Sequence, residues 1–163
     1  MTIDSDNTFF QFCSIGAPPQ DLSYQDQSTR VEIGKSNIFR EYVSVHRGTI
    51  KQDQVTKIGS NNMFMAQVHI GHDAVIGDHA VIVNSVNLAG HVNIGDRSII
   101  GGGTNVSQFV TIGRGSFIGG HSAVDRDVPP FCTAMGNRTK LKGINIVGLR
   151  RQGVSKQQIS EVV

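Results

Sequence analysis

From Ile70 to Val124 every sixth residue is large and aliphatic: Ile70, Ile76, Ile82, Leu88, Ile94, Ile100, Val106, Ile112, Ile118 and Val124. The frame does not slip. The residue after each is usually small, as at Gly71, Gly77, Ala89, Gly95, Gly101, Gly113 and Gly119. The residue four on is small or β-branched each time, from Ala74 and Ala80 through Val86, Val92, Ser98, Thr104 and Val110 to Ser116 and Ser122. A strict six-residue period is not helical, because 3.6 does not divide six. It fits strand alternation, because six is a multiple of two. Repeats this short predict an all-β chain wound as a parallel β-helix, each repeat supplying one flat side and one corner. Three sides close a coil, so residues 18 apart stand above one another at the ordinary strand spacing of about 4.8 Å. The aliphatic residue points inward and the residue four on fills the narrow corner. The glycines are expected where the backbone turns sharply or takes a positive φ.

The same frame appears earlier at Phe9 and Ile15, returns at Ile33, Phe39 and Val45, and resumes at Ile58 and Phe64. Two polar stretches interrupt it. Residues 17–31, with two prolines, and residues 46–56 read as loops leaving the rod. Loops on a rigid solenoid are where function tends to sit. The first coil exposes an unpaired edge that calls for covering. Asp127-Val128-Pro129-Pro130 is expected to stop the repeat, because proline cannot supply the ladder donor. This divides the chain into a β-helix domain with its loops at 1–130 and a short, basic, partly helical extension at 131–163. Within the extension, 145–151 predicts a short helix, and Ser155 to Gln158 reads as a capping box opening a helix toward Val163.

Composition changes this picture little. The chain has 163 residues, one domain by length, and 15 Lys and Arg balance 13 Asp and Glu. That balance gives no reason to expect a nucleic-acid partner. Cys13 and Cys132 do not form a disulfide framework and are read as reduced thiols. There is no apolar run of transmembrane length, and the start has no signal-like core, so a cytoplasmic protein is expected. The basic residues concentrate at the C-terminus: Arg138, Lys140, Lys142, Arg150, Arg151 and Lys156 face one acid, Glu161. They form either a solvated tail or a docking surface for an acidic partner or phosphates.

The histidines carry the candidate chemistry. His69 and His72 flank Ile70, and His91 lies 18 residues after Asp73, so one coil stacks those two side chains. His72, Gly90 and Gln108 form an adjacent column at the same spacing. An imidazole beside a carboxylate is the arrangement of a general base, and a glycine next to it leaves an N–H free for an oxyanion. The plainer reading places His69 and His72 on exterior corners with no role. A zinc reading takes His69, His72 and His91 as three ligands with an open fourth position, as in carbonic anhydrases of the gamma class. His46 opens the second loop, where it either lines a site or lies exposed beside Arg47. His79 and His121 lack such neighbours and read as solvated.

Several segments resemble the UDP-N-acetylglucosamine acyltransferases that begin lipid A synthesis. They are QFCSIG at 11–16, PQDLSY at 19–24, TRVEIG at 29–34, VHRGT at 45–49, VHIGHD at 68–73, LAGHV at 88–92, QFVTIG at 108–113, DVPPF at 127–131 and GINIVGLRRQG at 143–153. The resemblance implies a left-handed β-helix and a homotrimer with active sites between subunits. It implies transfer of an (R)-3-hydroxyacyl chain from acyl carrier protein to the 3-hydroxyl of the sugar nucleotide, without cofactor or metal. On it, His72 is the catalytic base, Asp73 its partner and Gly90 the oxyanion donor. His46, His69, His91, Gln108, Gln20 and Asp21 fall at substrate-contacting positions, Gly120 sets the acyl-slot length, and Asn145 and Arg151 serve the nucleotide. The basic C-terminal segment suits an acidic carrier protein.

The chain departs from that pattern at Ser23, where the family has lysine, and at Ser107, where it has histidine. Val147 replaces a glutamate and Gln152 an arginine, and the first coils and most of the C-terminal helical domain are missing from the match. These departures keep two alternatives beside the enzyme: an acceptor-switched relative and a non-catalytic trimeric one.

Overall fold

A computed structural model describes residues 1–161, and Val162 and Val163, to which the last predicted helix was extended, lie outside it. The chain winds as a three-sided parallel β-helix. One side stacks Thr2–Ile3, Arg30–Ile33, Val55–Ile58, Val75–Ile76, Asn93–Ile94 and Thr111–Ile112. The side carrying the histidine column stacks Ser14–Ala17, Ser44–His46, His69–Ile70, Asn87–Leu88, Asn105–Val106 and Ala123–Val124. The third side holds eight strands. Below the loops the coil is 18 residues, as Val75 pairs Asn93 and Asn87 pairs Asn105. Above, the partner of Ile3 is Ile33 and that of Ile33 is Ile58, because the two excursions at 18–29 and 47–54 are spliced in at the same corner.

The frame residues fill the rod. Ile70, Ile82, Leu88, Ile100, Ile112, Ile118 and Val124 are fully buried. Toward the first coil the core turns aromatic, with Phe39 stacked between Phe9 at 4.7 Å and Phe64 at 4.8 Å. The small residues four on are buried too, and where they carry a hydroxyl it is used. Ser98 Oγ donates to the Gly113 carbonyl at 3.0 Å and Ser116 Oγ to that of Pro129 at 2.9 Å. A corner too narrow for a large side chain thus satisfies a backbone acceptor.

The glycines do a different job from the one expected. Gly71, Gly77, Gly95 and Gly101 have ordinary φ; they are glycine because the next coil is too close. A Cβ on Gly71 would stand 2.7 Å from the Ala89 carbonyl carbon, and one on Gly95 would stand 2.7 Å from Arg114 Cα. The positive φ falls two residues further on, at the corner itself. Gln67, Asp73, His79, Ser85, His91, Arg97, Phe109 and His121 all have φ between 54° and 65°. A side-chain-bearing residue there costs on the order of 1 kcal/mol, and the stacked coils hold it.

The ladder also runs past Pro130, where it was expected to stop. Val128 still donates to Thr111 O, and Cys132–Met135 pairs in parallel with Phe117–Ile118. The prolines occupy the corner between these points and need supply no ladder donor. Lys140–Ile144 then turns back antiparallel on Cys132–Met135. Two short helices follow: α1 (Ile146–Arg151), capped by Asn145, and α2 (Lys156–Ser160), opened by the Ser155/Gln158 capping box. Ile159 is buried, which anchors α2. Cys13 and Cys132 are both free, and no described helix is long and apolar enough to cross a membrane.

Candidate active site

At the corner that carries the loops, the 18-residue repeat stacks Asp73, His91 and Phe109, all in left-handed backbone conformation. His72 Nδ1 lies 2.9 Å from Asp73 Oδ2. His91 Nε2 is 3.7 Å from the same oxygen, so imidazoles on successive coils face one carboxylate, and only His72 lies within hydrogen-bond distance of it. The two rings meet edge to face at 5.1 Å, and Phe109 stacks flat on His91 at 4.5 Å. His72 lies directly over Gly90. A Cβ there would sit 2.6 Å from His72 Nε2, so only glycine lets the ring pass. Among the described residues the Gly90 N–H has no acceptor.

The loops bury this corner. Asp73 accepts from Thr49 N at 2.8 Å and from Thr49 Oγ1 at 2.7 Å, and its own N–H donates to Thr56 Oγ1 at 2.9 Å. Gln52 Oε1 faces His91 Nδ1 at 2.7 Å. Lys51 Nζ reaches across to Asp21 Oδ2 at 2.6 Å, and Arg47 Nε donates to Tyr24 Oη at 3.1 Å, tying the two excursions together. The Lys51 ammonium and the Ser23 hydrogen bonds hold the Asp21 carboxyl well below the usual carboxylate range.

A cavity of about 360 Å³ opens beside the dyad, lined by Gln20, His46, His69, His72, Gly90 and Gln108 among others. His46 is buried, not exposed, and meets His69 edge to face at 5.0 Å. Ser44 Oγ lies 2.9 Å from His69 Nδ1 and fixes that ring. Burial pushes the imidazoles of His46, His69 and His91 toward the neutral form. Neighbouring histidines add to this for His46 and His69, and for His91 the Asp73 charge opposes it. His72, Asp73, Gly90, His46, His69, His91, Gln20 and Gln108 therefore gather at one corner, while Asp21 is tied to Lys51 and does not line the cavity.

The other expected residues lie elsewhere. Gly120 is at an exposed turn against the Gly102 carbonyl, outside that cavity. Asn145 and Arg151 line a separate cleft of about 350 Å³ with Ile99, Phe117, Val147 and Gly148. The Asn145 side chain is committed to structure: it accepts from Gly148 N and donates to Gly115 O, each at 2.9 Å. The ligand set of the zinc reading is not assembled, since His69 turns to Ser44. The metal-capable group among the described residues is His72, Asp73 and His91. Both oxygens of that acid already accept hydrogen bonds from Thr49 and His72.

Ser44, Thr49, Lys51, Gln52 and Thr56 shape the site without any signal in the repeat. Of these, only Thr49 lies in a segment that carries the family resemblance, VHRGT at 45–49, and nothing in its spacing points to Asp73.

The three-sided rod with its six-residue period is the fold of the hexapeptide-repeat class. The bacterial transferase hexapeptide pattern matches residues 56–90, and the second domain of UDP-N-acetylglucosamine O-acyltransferase matches residues 127–163. The acyl-[acyl-carrier-protein]–UDP-N-acetylglucosamine O-acyltransferase of Herminiimonas arsenicoxydans is 46% identical over 157 residues, covering 96% of this chain and 60% of that protein. LpxA from Acinetobacter baumannii superposes with a TM-score of 0.95 at 47% identity, over 97% of this chain and 61% of that one. The UDP-N-acetylglucosamine acyltransferase from Campylobacter jejuni gives 0.89 at 36% identity, over 98% and 69%. The chain belongs to the UDP-N-acetylglucosamine acyltransferase family, and its parallel β-helix is left-handed. It spans about three-fifths of the length of the Herminiimonas relative.

Proposed function

We propose that the protein transfers an (R)-3-hydroxyacyl group from acyl carrier protein to the 3-hydroxyl of UDP-N-acetylglucosamine. The observation that carries this reading is the His72 ring, seated over Gly90 with Nδ1 on Asp73. Asp73, already accepting two hydrogen bonds from Thr49, accepts a third from the Nδ1–H of His72. That leaves the Nε2 lone pair available as a base. The acceptor hydroxyl attacks the thioester carbonyl, giving its proton to Nε2 as the C–O bond forms. The resulting oxyanion meets the Gly90 N–H. The C–S bond then breaks, the carbonyl reforms, and the imidazolium returns the proton to the leaving thiolate.

Neutral His46 and His69 offer hydrogen bonds to substrate without adding charge, and Gln20 and Gln108 bound the same cavity. Family membership supports a homotrimer with sites at its seams, an acyl slot limited near Gly120, and a nucleotide reaching the Asn145 and Arg151 cleft. The basic C-terminal segment would meet the acidic carrier protein. We place the reaction in the cytoplasm.

Incubation with (R)-3-hydroxyacyl carrier protein thioesters and a panel of sugar nucleotides, read by mass spectrometry, tests this. Acylated UDP-N-acetylglucosamine is the expected product. Transfer only to another sugar nucleotide would assign the acceptor change to Ser23, Ser107, Val147 and Gln152. No transfer to any would overturn the enzyme reading.

A further inference from the structure

We infer that Thr49 is a positioning residue for Asp73, and through it for the base His72, with Gln52 doing the same for His91. The inference rests on the acyl-transfer reading of the site but is read from the loop alone. Residues 47–54 leave the rod at the end of Ser44–His46 and return at Val55–Ile58. Within four residues this loop sends Thr49 to Asp73, Lys51 to Asp21 and Gln52 to His91. Thr49 is buried at 3% exposure although it lies on an excursion from the rod. Gly48 permits the approach, because a Cβ there would stand 2.8 Å from Asp73 Oδ1.

The geometry gives Thr49 a specific task. Asp73 Oδ2 faces two imidazoles, His72 at 2.9 Å and His91 at 3.7 Å. The Thr49 N–H grips one carboxylate oxygen and its hydroxyl grips the other. Two donors on two oxygens fix the plane of the carboxylate, so Oδ2 stays on His72 and does not swing toward His91. Gln52 completes the separation. A carbonyl oxygen only accepts, so the Gln52 contact puts the proton of neutral His91 on Nδ1. His91 Nε2 then carries a lone pair and does not compete with His72 for the acid. The Phe109 ring stacked behind His91 prevents it from tilting away.

Thr49→Val keeps the shape and the backbone donor and removes only the hydroxyl, while Thr49→Ser restores it. With acyl carrier protein thioester and UDP-N-acetylglucosamine, Thr49→Val should lower kcat about tenfold, as loss of one charge-assisted hydrogen bond does. KM should stay within twofold, and Thr49→Ser should keep at least half of kcat. Nitrogen-15 NMR of the imidazoles supplies a readout independent of turnover: the protected Nδ1 proton of His72 should exchange faster in Thr49→Val and not in Thr49→Ser.

An unchanged kcat with an unchanged His72 signal would overturn the inference. Equal loss in the Val and Ser variants, with KM rising in step, would also overturn it, since that marks a merely structural role. If the wild-type protein turns over no substrate, the acyl-transfer reading fails and the imidazole signals still decide the inference. If Thr49→Val does not fold, Gln52→Leu at its exposed position carries the test. It should leave the melting temperature unchanged and lose the Nδ1-protonated pattern of His91, and an unchanged pattern would overturn the inference.

Discussion

Two corners of this rod are built from the same backbone and do different things. One stacks Asp73, His91 and Phe109; another stacks Gln67, Ser85, Gly103 and His121. Both take positive φ at the same place in the repeat, and both carry a histidine. His91 is 6% exposed and lies 3.7 Å from the carboxylate that holds His72, whereas His121 is exposed and has no carboxylate partner among the described residues. Only the first corner is covered by the excursions at 18–29 and 47–54. The repeat supplies geometry at every corner, and chemistry arises only where a loop excludes water and brings donors to the acid. Low dielectric then makes each hydrogen bond at that corner stronger.

The largest effect should come from what the corners share. Ile94→Asp puts a charge in the common core, where no described residue offers it a partner, and should cost about 4 kcal/mol or more. Urea unfolding checks it; a loss below 1 kcal/mol would mean the frame is not the core. His72→Ala attacks the covered corner alone. Turnover should drop at least ~10²-fold with the circular dichroism unchanged, as loss of a general base predicts. Near-normal turnover would remove His72 from the chemistry.

Next in size is a pH effect confined to the same corner. His46, His69 and His91 bind a proton less readily when folded, mainly because they are buried. Below the ordinary histidine range of about 6.5, the unfolded chain holds more protons than the folded one. Stability should therefore be full above that range and fall as acid carries the pH down through the lowered folded values. Calorimetry between pH 7.5 and 5 reads this as a falling melting temperature, and His69→Gln should show a smaller fall. A melting temperature that rose with acid would contradict the assignment. The smallest effect belongs to the bare corner: His121→Ala should change stability by less than about 0.5 kcal/mol and leave kcat alone. A tenfold loss of kcat in that variant would erase the distinction between the corners.

Most of the rod was legible beforehand because its information is periodic. Ile70 to Val124 announces inward positions every six residues, and closure into three sides places Gly90 under His72 and His91 beside Asp73. The role of Gly71 and its equivalents was misread, because closeness between coils and positive φ both select glycine. Only coordinates separate the two causes. The continuation through Cys132–Met135 was hidden by prolines that sit at a corner, where a missing donor does no harm.

Sequence by itself determined the period, the buried frame, the stacking of residues 18 apart, both loop positions and the Ser155/Gln158 capping box, since each follows from local spacing or local hydrogen bonding. Tertiary structure alone decided what the loops reach: Thr49 on Asp73, Gln52 on His91, Lys51 on Asp21, and Asn145 as a cap in a separate cleft. A loop has no period to project. Its contacts depend on where an aperiodic segment lands against a surface that the repeat has already built.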